Sequence, residues 1–394
     1  MTNFEKRHLI EALRSGIPSW SVGKYFSSSR KEMICSIQSS MNNAKNGSSE
    51  SIVLTGKYGE GKTHMLNTIS ALAQENNMAV SMISLGKETP MNRPECIFSK
   101  LIKSTILPHS VGKDVLSLFY SLSSGSDKAA DMYLFSSRRL KTDRLYFVLR
   151  ALLESSGSDA DDIDILEADL MGSYASQAAI KKIYQKYACE KAQISGTFSA
   201  KNNTIDYLSF YSHLFKVMGC SGWVILFDEA ELIGRFGRKT RESAYLVMKD
   251  YLFPPRTLEN TLSVFAFSTS FMDEVIAGKN EYSSVALGSR TDEEKNNIRA
   301  VLDAITSAKE LRPLTESELT ESIITIIEVY QEAYGKLDNY DLSTLVSIAM
   351  QSGFLLRTKI RTVIEALDQL YQYHSVSEIK SESLMKEDLS LLEE

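Results

Sequence analysis

Apolar residues follow two different rhythms along the chain. In the first two thirds they gather into short unbroken runs, beginning at Ser51 and recurring at Ala79 to Leu85, Gly222 to Phe227 and Leu262 to Phe267. Runs of this length that do not alternate with polar residues predict strands of a parallel sheet covered on both faces. Between the first two runs, residues 64–74 carry a helical pattern, so strand, helix and strand follow one another as in an α/β unit. Beyond residue 310 the rhythm changes to three- and four-residue spacing: Leu319, Ile323, Ile327, Tyr330 and Tyr334 form one stripe, introduced by Pro313 and the capping box of Thr315 and Glu318 and stopped by Gly335. A second helix is predicted over 341–351, and a third carries the stripe of Leu356, Ile360, Val363, Ile364 and Leu367 after Gly353.

The run from Ser51 leads into Gly56, Lys57, Tyr58, Gly59, Glu60, Gly61, Lys62 and Thr63, which spell G-x-x-x-x-G-K-T between a strand and a helix. This is the Walker A phosphate loop. Its glycines let successive backbone N–H groups face the β- and γ-phosphates of a nucleotide, Lys62 adds a point charge, and Thr63 offers its hydroxyl to Mg²⁺. The helix opening at His64 turns its positive end to the same anion.

The strand from Gly222 ends in Asp228 and Glu229 at its carboxyl edge, where open α/β sheets bind ligands. Asp228 is the expected Mg²⁺-shell acid, and Glu229 the carboxylate that orients or deprotonates an attacking water. The strand from Leu262 ends in Ser268, Thr269 and Ser270. A hydroxyl there can reach the γ-phosphate or the water; Thr269 is the first candidate and Ser268 the second. Arg357, at the start of the last helix and off its apolar stripe, is a candidate cation for the γ-phosphate, with Arg361 as its rival.

Composition narrows the class. The chain has 394 residues, of which 43% are hydrophobic and 24% charged, a globular supply that excludes disordered and fibrous chains. No apolar run approaches the roughly 18 residues of a membrane span, and the first ten residues mix both charge signs, so a soluble, cytoplasmic protein is expected. Cys35, Cys96, Cys189 and Cys220 include no C-x-x-C pair, which disfavours zinc and disulfide frameworks. A net charge of −6 rules out a molecule-wide nucleic-acid surface. Local cations remain: Arg235, Arg238, Lys239 and Arg241 follow the Asp-Glu strand as candidates for DNA phosphate or a neighbouring protomer's nucleotide, and Arg290 is a further candidate finger. Arg138 to Arg144 are basic and Asp159 to Asp169 acidic; these runs read as solvated faces or as a contact between subunits or with DNA.

These motifs resemble those of an AAA+ ATPase, and more narrowly the ATP-binding proteins of bacteriophage-exclusion (BREX) systems, related to the Orc/Cdc6 initiator branch. Arg7 through Ile17 and Pro18, followed by Val22 and Gly23, are similar to the family's leader, which helps to seat the adenine. Gly56 to Thr63 match its Walker A, Asp228 to Glu231 its D-E-x-E strand end, and Arg357 through Asp368 its terminal lid helix. The resemblance implies a five-stranded parallel core, a helical lid, sensor roles for Thr269 or Ser268 and for Arg357, the cofactors ATP and Mg²⁺, and self-assembly into a ring or spiral.

The expected organisation is a leader with adenine-side helices over 1–50, core over 51–94 and 216–310, a helical insertion over 95–215, a lid over 311–373 and an acidic tail over 374–394. The tail is too short for the winged helix of initiator ATPases. The expected function is ATP hydrolysis by a protein that assembles on or near duplex DNA and switches a helicase or nuclease partner in anti-phage defence. The alternatives are a nucleotide-gated structural adaptor with little turnover, or a transposition or replication loader.

Overall fold

A computed structural model of the chain describes residues 2–17, 19–26, 30–108, 114–155, 159–337, 340–377, 379 and 383–386. Pro18 of the leader, residues 156–158 of the second serine-rich connection and most of the acidic tail lie outside them. The elements run α1 (Asn3–Arg14), α2 (Trp20–Tyr25), α3 (Lys31–Lys45), β1 (Ser49–Gly56), α4 (Lys62–Glu75), β2 (Met78–Ser84), α5 (Pro94–Lys103), α6 (Leu116–Tyr120), α7 (Asp127–Arg138), α8 (Arg144–Glu154), α9 (Ala160–Ala168), α10 (Gln177–Ala188) and α11 (Ala200–Val217). There follow β3 (Gly222–Asp228), α12 (Arg238–Leu252), β4 (Thr261–Ser268), α13 (Glu281–Ala286), α14 (Asp292–Thr306), β5 (Lys309–Glu310), α15 (Glu316–Tyr334), α16 (Leu342–Gln351) and α17 (Leu356–Tyr373).

The five strands pair in parallel in the order β2, β3, β4, β1, β5. The predicted strands stand where the apolar runs put them. The fifth, β5, is two exposed residues at an edge with no apolar signature, and no pattern announced its position. Side chains leave each strand alternately on two faces. Trp223, Ile225, Phe227, Phe265 and Phe267 enter one core, while Val224, Leu226, Leu262, Val264 and Ala266 enter another with α3 and α4. Both faces are thereby dry, which is why the runs do not alternate.

Helices α5 to α11 lie between β2 and β3 in sequence and share the first of these cores. Phe215 of α11 meets Trp223 edge-on at 5.3 Å between ring centroids, and the Trp223 indole donates to Ser81 Oγ at 2.8 Å. Within this region several charges of the basic and acidic runs are spent on the chain itself. Arg144 is fully buried, pairs with Asp169 and donates to Tyr207 at 3.1 Å; Lys186 holds Asp159 and Asp162; Arg139 reaches Glu259. Arg139, Arg144, Asp159, Asp162 and Asp169, neighbours within their runs, are thus divided among separate partners.

A third core joins the two ends of the chain. Leu9, Ile10 and Leu13 of α1, with Val22 and Phe26, pack against Leu319, Ile323, Ile327, Val363 and Leu367 of the C-terminal helices. Helix α3 goes instead with the sheet. Arg14 fastens the junction by donating to both oxygens of Asp368, at 2.9 and 2.8 Å. Among the described residues no helix is long and apolar enough to cross a membrane.

Helix α2 lies directly on α4, and Gly23 makes that approach fit. A Cβ at Gly23 would stand 2.5 Å from the Asn67 carbonyl carbon and 2.6 Å from the Thr68 nitrogen. Its own carbonyl accepts from Thr68 Oγ1 at 3.1 Å. Gly23→Ala is expected to lower stability by roughly 1–3 kcal/mol, since backbone rather than a flexible side chain must move. Urea unfolding checks this: the midpoint should fall with the slope unchanged.

Candidate nucleotide site

At the carboxyl edge of the sheet, β1 breaks into the phosphate loop and α4 begins at Lys62. Gly61 takes φ +88°, a conformation costly for other residues, and no side chain caps α4, so its first N–H groups are left for a ligand. Lys57 N–H donates to Glu60 Oε2 at 2.7 Å, bracing the loop. Lys62 is buried, with Nζ donating to the Gly56 carbonyl at 3.2 Å and lying 5.3 Å from the centre of the Tyr58 ring. Thr63 Oγ1 donates to Asp228 Oδ2 at 2.7 Å, so the Walker A hydroxyl and the β3 acid meet.

Glu229, one residue on, stands in the left-handed region at φ +55°, and its backbone N–H donates to Asp228 Oδ1 at 2.9 Å. A non-glycine residue held there is strained, and such strain collects at functional sites. Burial raises the Glu229 carboxyl above its usual value, and the Asp228 and Glu231 charges raise it further. Glu231 is raised chiefly by burial and accepts from the Ser268 N–H at 3.1 Å, tying the end of β3 to the end of β4. Burial and the neighbouring Arg30 push the His64 imidazole down to about 4, so it is neutral at physiological pH.

These groups open on a cavity of about 700 Å³, the size of a small-molecule site. Its apolar part is built by Leu13, Val22 and Phe26 from the leader and Ile326, Leu356 and Ile360 from the C-terminal helices. Tyr58, Gly59, Gly61, Lys62, Thr63, His64, Asp228, Glu229, Ser268 and Arg357 all line it, whereas Gly23 lies behind, against α4. At the end of β4 the lining hydroxyls are Ser268 and Ser270; Thr269 is not among the lining residues, and its N–H donates to the Gly56 carbonyl at 3.2 Å. Sequence reasoning missed Arg30, Ser270, Glu274 and Lys279, which also line the cavity. None belongs to a motif, and only Ser270, beside two named hydroxyls, had a signal to follow.

The basic knot divides. Arg241 is buried, holding Glu281 at 2.9 Å through Nε and the Phe236 carbonyl at 2.7 Å through Nη1. Arg238 donates to Glu242 and to the Ser284 carbonyl, and Arg290 is held by Glu242, Glu294 and Ser243. These three cations are committed to their own chain. Arg235 and Lys239 are exposed, and Arg235 lines the cavity.

A parallel sheet with a G-x-x-x-x-G-K-T turn, its helix and a facing acid defines a P-loop nucleoside-triphosphate-binding protein. The sequence matches the family described as BREX system ATP-binding protein BrxC/D over residues 2–111 and 174–387, more than half of the chain. The chain therefore belongs to this family of ATP-binding proteins, which ties it to anti-phage defence. Residues 112–173, between the two matched stretches, carry α6 to α9. No curated protein matches the chain.

Arg241→Ala is expected to cost about 3–5 kcal/mol of folding stability, because it leaves the Glu281 carboxylate buried without its partner. Arg235→Ala, on an exposed side chain, should change stability by no more than about 0.5 kcal/mol. Paired denaturation curves check both. Equal stability of the two variants would show that the Arg241 pair does not matter to the fold.

Proposed function

We propose that the chain is an AAA+ ATPase that binds Mg²⁺ and ATP in this cavity and hydrolyses the nucleotide. The observation that carries the reading is the contact of Thr63 Oγ1 with Asp228 Oδ2, with Glu229 on the adjoining residue and the same cavity wall. The donor set fits Mg²⁺: two hard oxygens at the phosphate loop suit an ion that keeps water and phosphate for its remaining positions. The described residues hold no cluster of three or more His, Cys, Asp or Glu ligands that would make a separate metal cage. Thr63 and Asp228 would hold the ion there, and it would supply positive charge against the phosphates.

The protein's own part follows from its geometry. The loop N–H groups and Lys62 hold the phosphates, and Glu229 accepts the proton of the attacking water. Ser268, held by Glu231 through its backbone, and Ser270 offer hydroxyls to the γ-phosphate or the water, with Thr269 at the same strand end. Arg357 stands on α17 across the cavity, where the C-terminal helices act as a lid. The apolar wall suits the adenine. Assembly into a ring or spiral on or near duplex DNA, driving a helicase or nuclease partner in the cytoplasm, completes the proposal. Arg235 and Lys239 are the cations left for a neighbouring protomer or DNA phosphate.

Lys62→Ala should weaken binding of a fluorescent ATP analogue by on the order of 10- to 100-fold, the weight of charge-assisted bonds. Glu229→Gln should bind ATP as the wild type does while turnover drops about 10²- to 10⁴-fold. Wild-type turnover in that variant would remove Glu229 from the chemistry and move attention to Glu231.

Assembly has its own signature. If one protomer completes its neighbour's site, specific ATPase activity should rise with protein concentration, and sedimentation in ATP should show species above 44.1 kDa. Flat activity with a monomeric mass would leave the site in cis and remove the ring or spiral.

A further inference from the structure

Arg30 precedes α3, outside every motif, yet its side chain is among the most deeply buried cations of the protein. Nη2 donates to the Glu60 carbonyl of the phosphate loop at 2.7 Å, and Nε donates to the Arg312 carbonyl at 3.1 Å, where the chain leaves β5 for the C-terminal helices. Its backbone N–H donates to Glu318 Oε1 at 2.9 Å. Glu318 also closes the capping box of α15, accepting from Thr315 N–H at 3.0 Å, and pairs with Arg312 at 2.6 Å. One residue therefore grips the loop with its guanidinium and the first turn of α15 with its backbone.

The bond to Glu60 has a directional consequence. In a trans peptide the carbonyl and the following N–H point opposite ways. Holding the Glu60 carbonyl towards Arg30 turns the Gly61 N–H away from it. The remaining fork nitrogen, Nη1, is buried without an acceptor among the described residues, and a Cβ built on Gly61 would stand 3.7 Å from it. A guanidinium left one acceptor short in a dry place favours any loop movement that supplies one.

The geometry points to Arg30 as a positioning residue that sets the Glu60–Gly61 peptide for phosphate and reports the state of the loop to α15. This rests on the ATP site proposed above. Nucleotide binding shifts the loop against Arg30, and the shift reaches the Arg312 carbonyl and Glu318 because the same residue holds all three. No bond to the nucleotide is required of Arg30.

The test uses the full chain in three variants, Arg30→Met, Arg30→Lys and Lys62→Ala, with two readouts: affinity for a fluorescent ATP analogue and amide exchange over residues 312–320 with and without ATP. In the wild type, ATP should slow exchange in that segment. Arg30→Met should weaken binding by about tenfold or more and abolish the slowing. Arg30→Lys keeps the charge but not the planar fork that spans two carbonyls, so it should recover part of the affinity and none of the slowing. Should Arg30→Met fail to fold in urea titration, Arg30→Lys decides alone. Wild-type affinity and slowing in the folded Arg30 variants, with Lys62→Ala impaired, would overturn the role of Arg30 and leave the ATP site standing. Wild-type affinity in Lys62→Ala would instead overturn the site itself. A wild type whose α15 exchange ignores ATP would overturn the coupling.

Discussion

The parallel register of three strands is the constraint on which the site depends. Gly56 lies opposite Ser268, and Phe227 opposite Phe265, so β1, β4 and β3 deliver their carboxyl ends to one edge of the sheet. Thr63 and Asp228 are 165 positions apart in sequence, and only that register brings them to hydrogen-bond distance. A parallel pair can be joined only by a crossover, which is why a helical region as large as α5 to α11 can be placed between β2 and β3 without disturbing the edge. Its cost is met at the sheet face, where Phe215, Trp223 and their neighbours make the inserted helices part of the main core.

The second condition is that the two ends of the chain close over that edge. The sheet supplies phosphate-facing groups and acids, and little that would cover a base. Leu13, Val22 and Phe26 come from the beginning of the chain and Ile326, Leu356 and Ile360 from its last third. The apolar core that they share supplies the affinity between these ends, because the half-exposed Arg14–Asp368 pair is the sort of ion pair that contributes little net stability. Its use is orientation: two parallel bonds fix α1 against α17, and with it the turn at Gly16 against the Arg357 side chain.

What the sequence made legible follows from how each function is written in it. The phosphate loop is one contiguous segment whose residue types are dictated by backbone geometry, so Gly56 to Thr63 could be read without a fold. Asp228 and Glu229 were legible because a both-faces-buried strand has a visible end. The capping box of Thr315 and Glu318 was legible as a helix start, yet its third partner was not. Arg30 acts on the carbonyls of Glu60 and Arg312, and a carbonyl carries no residue identity, so no spacing rule can reveal it. Cations misled for the complementary reason. A run such as Arg235 to Arg241 looks like one surface in sequence, but α12 begins within it and turns Arg241 into the core against Glu281 while Arg235 stays in the open. β5 went unplaced because two exposed residues paired at an edge have no apolar period at all.

The committed cations also explain how a chain of net charge −6 can keep an anion site. Arg144, Arg241 and Arg290 neutralise carboxylates away from the cleft. Lining the cavity, Arg30, Lys62, Arg235, Lys279 and Arg357 outnumber Asp228, Glu229, Glu231 and Glu274 by five to four. The acids sit together at the ends of β3 and β4, and three of them crowd within four residues, so burial and mutual repulsion hold the Glu229 and Glu231 carboxyls above their usual range. Cations from the loop, from the turn after β3 and from α17 surround that acid group from separate elements. Lys62, the loop N–H groups and the uncapped N-terminus of α4 meet at one turn, so the positive end that an anion needs is set by a single segment and not by the net charge of the chain.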